Sequence, residues 1–134
     1  MKTKRVAVGV IIDDDKNILM GKRNDNNLWT IPGGHAKKNE DIYEAMIREL
    51  KEETGLDAKQ LKIVKVCKKK EGSVLVYVFR ISVDKDQKVD TSGDPDNEVD
   101  VWEYADPFEC ISKLHVPISE NYAIKHWARE ILDK

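Results

Sequence analysis

No stretch of this chain is both long and apolar. The longest apolar run, Val6 to Ile12, falls well short of the about 20 residues that a membrane-spanning helix requires. The N-terminus carries neither the extended apolar region nor the small-residue cleavage site of a signal peptide, so the expected compartment is the cytoplasm. Cysteine is scarce. Cys67 and Cys110 are too few for a metal cluster or a disulfide framework, and both read as reduced packing residues. An excess of basic charge is missing as well: 23 Lys and Arg stand against 25 Asp and Glu, a net charge of −2. That balance leaves no basic footprint of the kind that binding to duplex nucleic acid requires. Internal repeats and low-complexity tracts are also absent. The 134 residues are read as one domain, 1–134, large enough for a single core.

What the chain does have is carboxylate, gathered in one place. From Gly34 to Leu56 the sequence reads GHAKKNEDIYEAMIRELKEETGL, an acidic segment directly behind Pro32-Gly33-Gly34. Residues three and four apart on a helix share a face, which predicts that Glu49, Glu52 and Glu53 converge on one patch. The apolar Tyr43, Met46, Ile47 and Leu50 are expected about a quarter-turn away, so that one flank packs while the other presents charge. Carboxylates pressed together repel one another, and stability alone gives no reason to gather them. A hard divalent cation resolves the conflict. Mg²⁺ keeps several waters and takes few carboxylates beside substrate phosphates, which predicts a half-filled site open to a phosphorylated ligand; Mn²⁺ can substitute. The plain alternative is a solvated helix in which Arg48 and Glu52 form an ordinary surface pair, in a chain that is 36% charged. That alternative accounts for the charge but leaves the spacing and the flanking glycines unexplained.

These residues resemble the Nudix hydrolase signature G-x5-E-x7-R-E-U-x-E-E-x-G-U, where U is a bulky aliphatic. Its specified positions fall on Gly34, Glu40, Arg48, Glu49, Leu50, Glu52, Glu53, Gly55 and Leu56. The resemblance implies hydrolysis of a nucleoside diphosphate linked to another group. It implies Glu52 and Glu53 as metal ligands, Glu49 as a ligand or as the base that orients water, and the backbone carbonyl of Gly34 as a further ligand. Arg48 and Glu40 would hold loop and helix together, an arginine fork fixing a carboxylate and orienting the catalytic acids. Gly55 would end the helix. Outside the signature, Glu98 stands where many relatives carry another acid that binds metal or acts as base, and Arg23 where relatives often meet substrate phosphate. Lys22 and Arg23 alternate in direction if their strand persists, so only one of them should face the site. Trp29 and Tyr77 are candidates to stack on a base, with core packing the plainer assignment for each. His35, beside the metal loop, reads as a supporting or surface residue.

The wider pattern predicts strands at Val6 to Ile12 and from Ile18, joined by a turn whose three aspartates bond local backbone rather than metal. A short strand from Leu28 to Ile31 should follow, stopped by Pro32 and the glycines. The helix is expected from about Glu40 to Thr54, with Asn39 as N-cap. A hairpin over Leu61 to Lys69 and Ser73 to Val83, a mobile acidic loop from Asp84 to Asn97, and a strand from Val99 to Tyr104 come next. Asp106 and Ser119 each look like the cap of a later helix. This order resembles the Nudix α/β/α sandwich, an α/β fold with a mixed β-sheet between helices.

For the substrate, the proline of many ADP-ribose hydrolases, the tyrosine of many dinucleoside polyphosphate hydrolases and the upstream pattern of coenzyme A hydrolases are not found at their usual places. What remains resembles relatives that cleave a nucleoside or deoxynucleoside triphosphate to monophosphate and pyrophosphate. Besides RNA 5′-end processing, which the absence of a basic stripe disfavours, two alternatives stay open. One is an ADP-ribose, nucleotide-sugar or dinucleotide diphosphatase; the other is a non-catalytic nucleotide-binding sensor of the same fold. Trp102, Trp127 and the acidic loop leave room for a homodimer.

Overall fold

The computed structural model describes residues 4–24, 29–69, 74–84, 86–91, 99–106 and 109. The helices predicted from Asp106 and Ser119 lie outside these residues, apart from isolated positions at the start of the first. Among the described residues, seven strands form one mixed sheet: β1 (Lys4–Ile12), β2 (Ile18–Arg23), β3 (Trp29–Thr30), β4 (Gly33–His35), β5 (Gln60–Lys69), β6 (Val74–Ser82) and β7 (Val99–Ala105). One helix, α1 (Ile42–Thr54), lies between β4 and β5 in the chain. The fold is α/β. Among the described residues no helix is long and apolar enough to cross a membrane.

The central strand is β1. Every residue from Ala7 to Ile12 is buried, as expected of a strand covered on both faces. Along one edge it pairs in parallel with β6 over its whole length, from Lys4 against Val74 to Ile12 against Ser82. Its other edge is divided. β4 pairs with Val6 to Val8, Gly9 N–H donates to Pro32 O at 2.8 Å, and β2 meets β1 only where Ile12 faces Ile18. From that point β2 diverges to pair with β3 and β7. The aspartate turn between β1 and β2 is closed by Asp13, whose Oδ1 accepts the Asp15 and Asn17 N–H groups, both at 2.9 Å. β5 and β6 form the predicted antiparallel hairpin.

Alternation along the strands divides the apolar residues between two faces. One cluster gathers Val8, Val10, Ile18, Met20, Ile31, Val76 and Val78. The other places Ala7, Ile11, Leu19, Phe79 and Ile81 beneath α1, where Met46 and Leu50 are fully buried. Each of these side chains larger than alanine contributes about 1.5–3 kcal/mol by leaving water.

The helix differs from its predicted form at its start and on its face. Asn39 takes a left-handed conformation with φ of 71°, which belongs to a turn rather than a cap, and Glu40 N–H closes that turn onto Lys37 O at 3.0 Å. Asp41 is the N-cap, accepting Tyr43 N–H at 2.8 Å, and the helix begins at Ile42. The buried stripe is Ile42, Ala45, Met46 and Leu50, while Tyr43 and Ile47 are exposed. At about 100° per residue, Glu49 and Glu53 fall within about 20° of the direction of Ile42. Glu49 and Glu53 therefore point toward the sheet, while Glu52, about 80° from that direction, lies near the expected quarter-turn.

Gly55 ends the helix in the left-handed region, with φ of 73° and its N–H donating to Lys51 O at 2.9 Å. A side chain there is strained by the backbone and would also meet Asp90 O. Gly55→Ala is expected to lower stability by about 1–2 kcal/mol, the cost of a left-handed residue with a Cβ. Urea denaturation measures it, and an unchanged midpoint would show that the chain end relaxes freely.

Candidate functional site

Two glycines make room for two acids. Gly33 and Gly34, expected in a loop, belong instead to β4 and pair with Val8 and Ala7. At Gly34 a Cβ would stand 2.5 Å from the Glu49 carboxyl carbon, and at Gly33 it would collide with Ala7 O. With no side chains in the way, the helix brings Glu49 against Gly34, and Gly33 N–H donates to Glu53 Oε1 at 3.1 Å. A strand of glycines lies under the acidic centre of the helix.

Arg48 binds the acids to that framework. Its Nε–H donates to Glu40 Oε2 at 2.8 Å and its Nη2–H to Glu40 Oε1 at 3.0 Å, the two-pronged grip that a planar guanidinium makes on a carboxylate. The same Nη2 reaches His35 O at 3.1 Å. Nη1 donates to Glu49 Oε1 at 3.0 Å and to Glu52 Oε2 at 3.3 Å. The late start of the helix is what permits this. With Glu40 outside the first turn, its side chain reaches back across eight positions to Arg48 and also accepts Lys37 N–H at 2.9 Å. Arg5 Nη2–H donates to Lys37 O at 3.1 Å, so the connection extends into β1.

The hydrogen bonds from Arg48, followed by that from Lys37 N–H, hold Glu40 down to a pKa of about 2. Arg48 is pushed upward in turn, chiefly by its bond to Glu40. Arg48 and Glu40 are both largely covered.

The donor set is entirely oxygen, which suits a hard divalent ion. Among the described residues, however, no three His, Cys, Asp or Glu side chains are grouped so as to hold a metal ion by themselves. Glu49 and Glu52 each give one oxygen to Arg48, and Glu53 gives one to Gly33. Such an arrangement fits Mg²⁺, which takes one or two carboxylates and completes its shell with water and phosphate.

The remaining candidates are scattered. Glu98 lies outside the described residues. At the end of β2 the register shifts between Lys22 and Arg23; Lys22 is exposed and Arg23 half-buried. Trp29 packs on the sheet face away from α1, whereas Tyr77 packs on the face of α1, in β6 opposite Ala7. The sheet separates them, so one base cannot lie between both rings. The side chain of His35 is exposed, and its contribution to the site is its backbone carbonyl. Sequence reasoning misses Arg5 and the Gly33 N–H. Neither carries a local signal, because each acts only once β1 and β4 are paired.

Three comparisons bear on this arrangement. A family model described as NUDIX domain matches residues 3–125. An ADP-ribose pyrophosphatase from Methanocaldococcus jannaschii is 38% identical over 85 residues, which are 58% of this chain and 50% of that protein. An 8-oxo-dGTP diphosphatase from Buchnera aphidicola is 31% identical over 85 residues, 61% of this chain and 65% of that protein. The match thus spans less than two thirds of either relative's length. Among solved structures, one from a study of MutT of Aliivibrio salmonicida and Vibrio cholerae superposes with a TM-score of 0.78 at 19% identity, covering 96% of this chain and 99% of that one.

The depressed pKa of Glu40 sets a direction for acid stability. A carboxyl that ionises at about 2 when folded and near its ordinary 4.5 when unfolded contributes stability above pH 4.5 and loses it as pH falls toward 2. Glu40→Gln should remove that slope, so that the gap in stability between variant and parent narrows from pH 5 to pH 2. Chemical denaturation across that window tests it, and parallel curves would show that Glu40 carries no such linkage.

Proposed function

The chain belongs to the Nudix hydrolase family, and from that premise we propose that it is a Mg²⁺-dependent pyrophosphohydrolase, with Mn²⁺ able to substitute, acting on a nucleoside or deoxynucleoside triphosphate. Water attacks a phosphorus of the phosphoanhydride chain, a new P–O bond forms, and the bridging P–O bond breaks to leave monophosphate and pyrophosphate. The observation that carries this reading is the placement of Glu49 and Glu53 over the Gly33-Gly34 strand, with Glu49 and Glu52 tied to one guanidinium.

In this reading Glu52 and Glu53 would hold the ion, with the Gly34 carbonyl and Glu98 as further ligands. A bound divalent cation would neutralise charge on the phosphoryl oxygens. Glu49 takes the proton of the attacking water or orients it, and its seat against Gly34 limits where its carboxylate can swing. Arg48 positions Glu49 and Glu52 without reaching the substrate, since its donors are directed at Glu40, Glu49, Glu52 and His35 O. Arg23 is assigned to substrate phosphate. Tyr77, on the same sheet face as α1, is the better-placed of the two aromatic candidates, and Trp29 is assigned to packing.

A second reading is supported by the 38% identity to an ADP-ribose pyrophosphatase: cleavage of a nucleoside diphosphate joined to a sugar. A panel of nucleotides assayed with Mg²⁺ and with Mn²⁺ separates the two. Release of inorganic pyrophosphate marks the triphosphate activity, and two monophosphate-bearing products mark the other. Absence of turnover with every substrate and both ions would sink both readings and favour a binding role. With the preferred substrate, Glu53→Gln is expected to lower kcat several hundred-fold, on the order of the loss seen when one preorganised electrostatic partner is removed. Turnover near that of the parent would overturn the assignment of Glu53.

A further inference from the structure

Residues 86–91 run beside the C-terminal end of α1 and engage it at several points. Gln87 pairs through its side-chain amide with the backbone of Asp57. Asp57 N–H donates to Gln87 Oε1 at 2.8 Å, and Gln87 Nε2–H donates to Asp57 O at 2.9 Å. Asp90 N–H donates to Thr54 O at 2.8 Å, satisfying one of the carbonyls that a helix leaves open in its last turn. Where Asp90 passes, Gly55 has no side chain, and a Cβ there would stand 2.9 Å from Asp90 O. Between these contacts Val89 packs against the apolar cluster beneath α1. At the near end of the segment, Lys59 pairs with Asp84 at 3.2 Å. The first part of the acidic stretch is therefore anchored, contrary to the mobile loop expected from its composition.

We propose that residues 86–91 form a positioning strap for the last turn of α1, with Gln87 as its principal residue, and that the strap fixes the carboxylates of Glu52 and Glu53. The inference rests on the reading of those acids as metal ligands. Glu53 and Glu52 immediately precede Thr54, so a shift of the Thr54 carbonyl moves both carboxylates. The glutamine amide imitates a neighbouring strand: it answers the N–H and the carbonyl of one residue together, which fixes the direction of the chain leaving the helix as well as its distance. The hydrogen bonds of Gln87 go to Asp57 and Asp84 rather than to the acids. Its effect reaches the ion only through Asp57, Gly55 and Thr54.

The test is Mn²⁺ binding followed by the paramagnetic signal of the free ion, for the parent and for Gln87→Leu, which keeps much of the volume and loses both hydrogen bonds. The strap predicts Mn²⁺ binding weaker by about 10-fold, in the range found when groups behind metal ligands are removed. The melting temperature should fall by no more than about 3 °C, as expected for loss of contacts at a half-exposed site. In turnover with saturating ion, KM for nucleotide should stay within about 2-fold while kcat falls, since losing only ligand alignment leaves substrate binding in place. Equal Mn²⁺ affinity in parent and variant would overturn the strap and leave the hydrolase reading standing. A parent that binds no Mn²⁺ would overturn both. Should Gln87→Leu fail to fold, Gln87→Glu retains the acceptor for Asp57 N–H while losing the donor, and its Mn²⁺ affinity is judged by the same outcomes.

Discussion

One guanidinium stands where strand, turn and helix meet. Arg48 grips Glu40 in the turn, touches the His35 carbonyl at the end of β4, and holds Glu49 and Glu52 on its own helix. Because Glu40 also closes onto Lys37, whose carbonyl receives Arg5 from β1, the orientation of the acidic face is tied to the centre of the sheet. A lysine at position 48 would carry the charge but not the planar fork, and the separate directions of these bonds would be lost. Without this residue, the carboxylates would repel one another, and the turn would lose the charged side chain that links it to the helix.

The same residue also defines what the site lacks. Three carboxylates share Arg48, so within that group negative charge exceeds positive. A charge-balanced cluster would be a structural knot of the kind that often contributes little to stability. This one is left with an excess of negative charge. The glycines of β4 determine where that charge is directed, because they allow Glu49 and Glu53 to face the sheet beside polar backbone, where most helices would place apolar side chains.

Spacing makes the essentials of the site legible in advance. Gly34, Glu40, Arg48, Glu49, Glu52, Glu53 and Gly55 stand out as a unit because helical geometry is periodic and a glycine in the left-handed region has few substitutes. The hairpin of β5 and β6 and the strand β7 are equally readable from local composition. What escapes depends on distant pairing. Gly33-Gly34-His35 has no intrinsic preference for extended structure and becomes a strand only against β1. The left-handed turn at Asn39 delays the helix, and its docking on the sheet buries Ile42 and Ala45 in place of Tyr43 and Ile47. Gln87 is invisible for a related reason, since its partner Asp57 is thirty residues earlier in the chain. Composition describes the loop as acidic but cannot report which of its side chains holds the helix.

The parallel pairing of β1 with β6 carries a consequence for the order of assembly. Lys4 to Ile12 cannot find Val74 to Ser82 until the intervening strands and the helix exist as chain, and closing so large a loop is entropically slow. The helix with its acids is encoded locally, and β4 and the β1 residues that orient it precede it in the chain, so this part can begin to form early, while β6 arrives late. During synthesis the pair of β1 with β4 can thus form against the helix while the other edge of β1 is still open. That edge is covered only in the closing step, so protection from hydrogen exchange of the β1 amides that face β6 reports completion of the central strand pair and not formation of the helix.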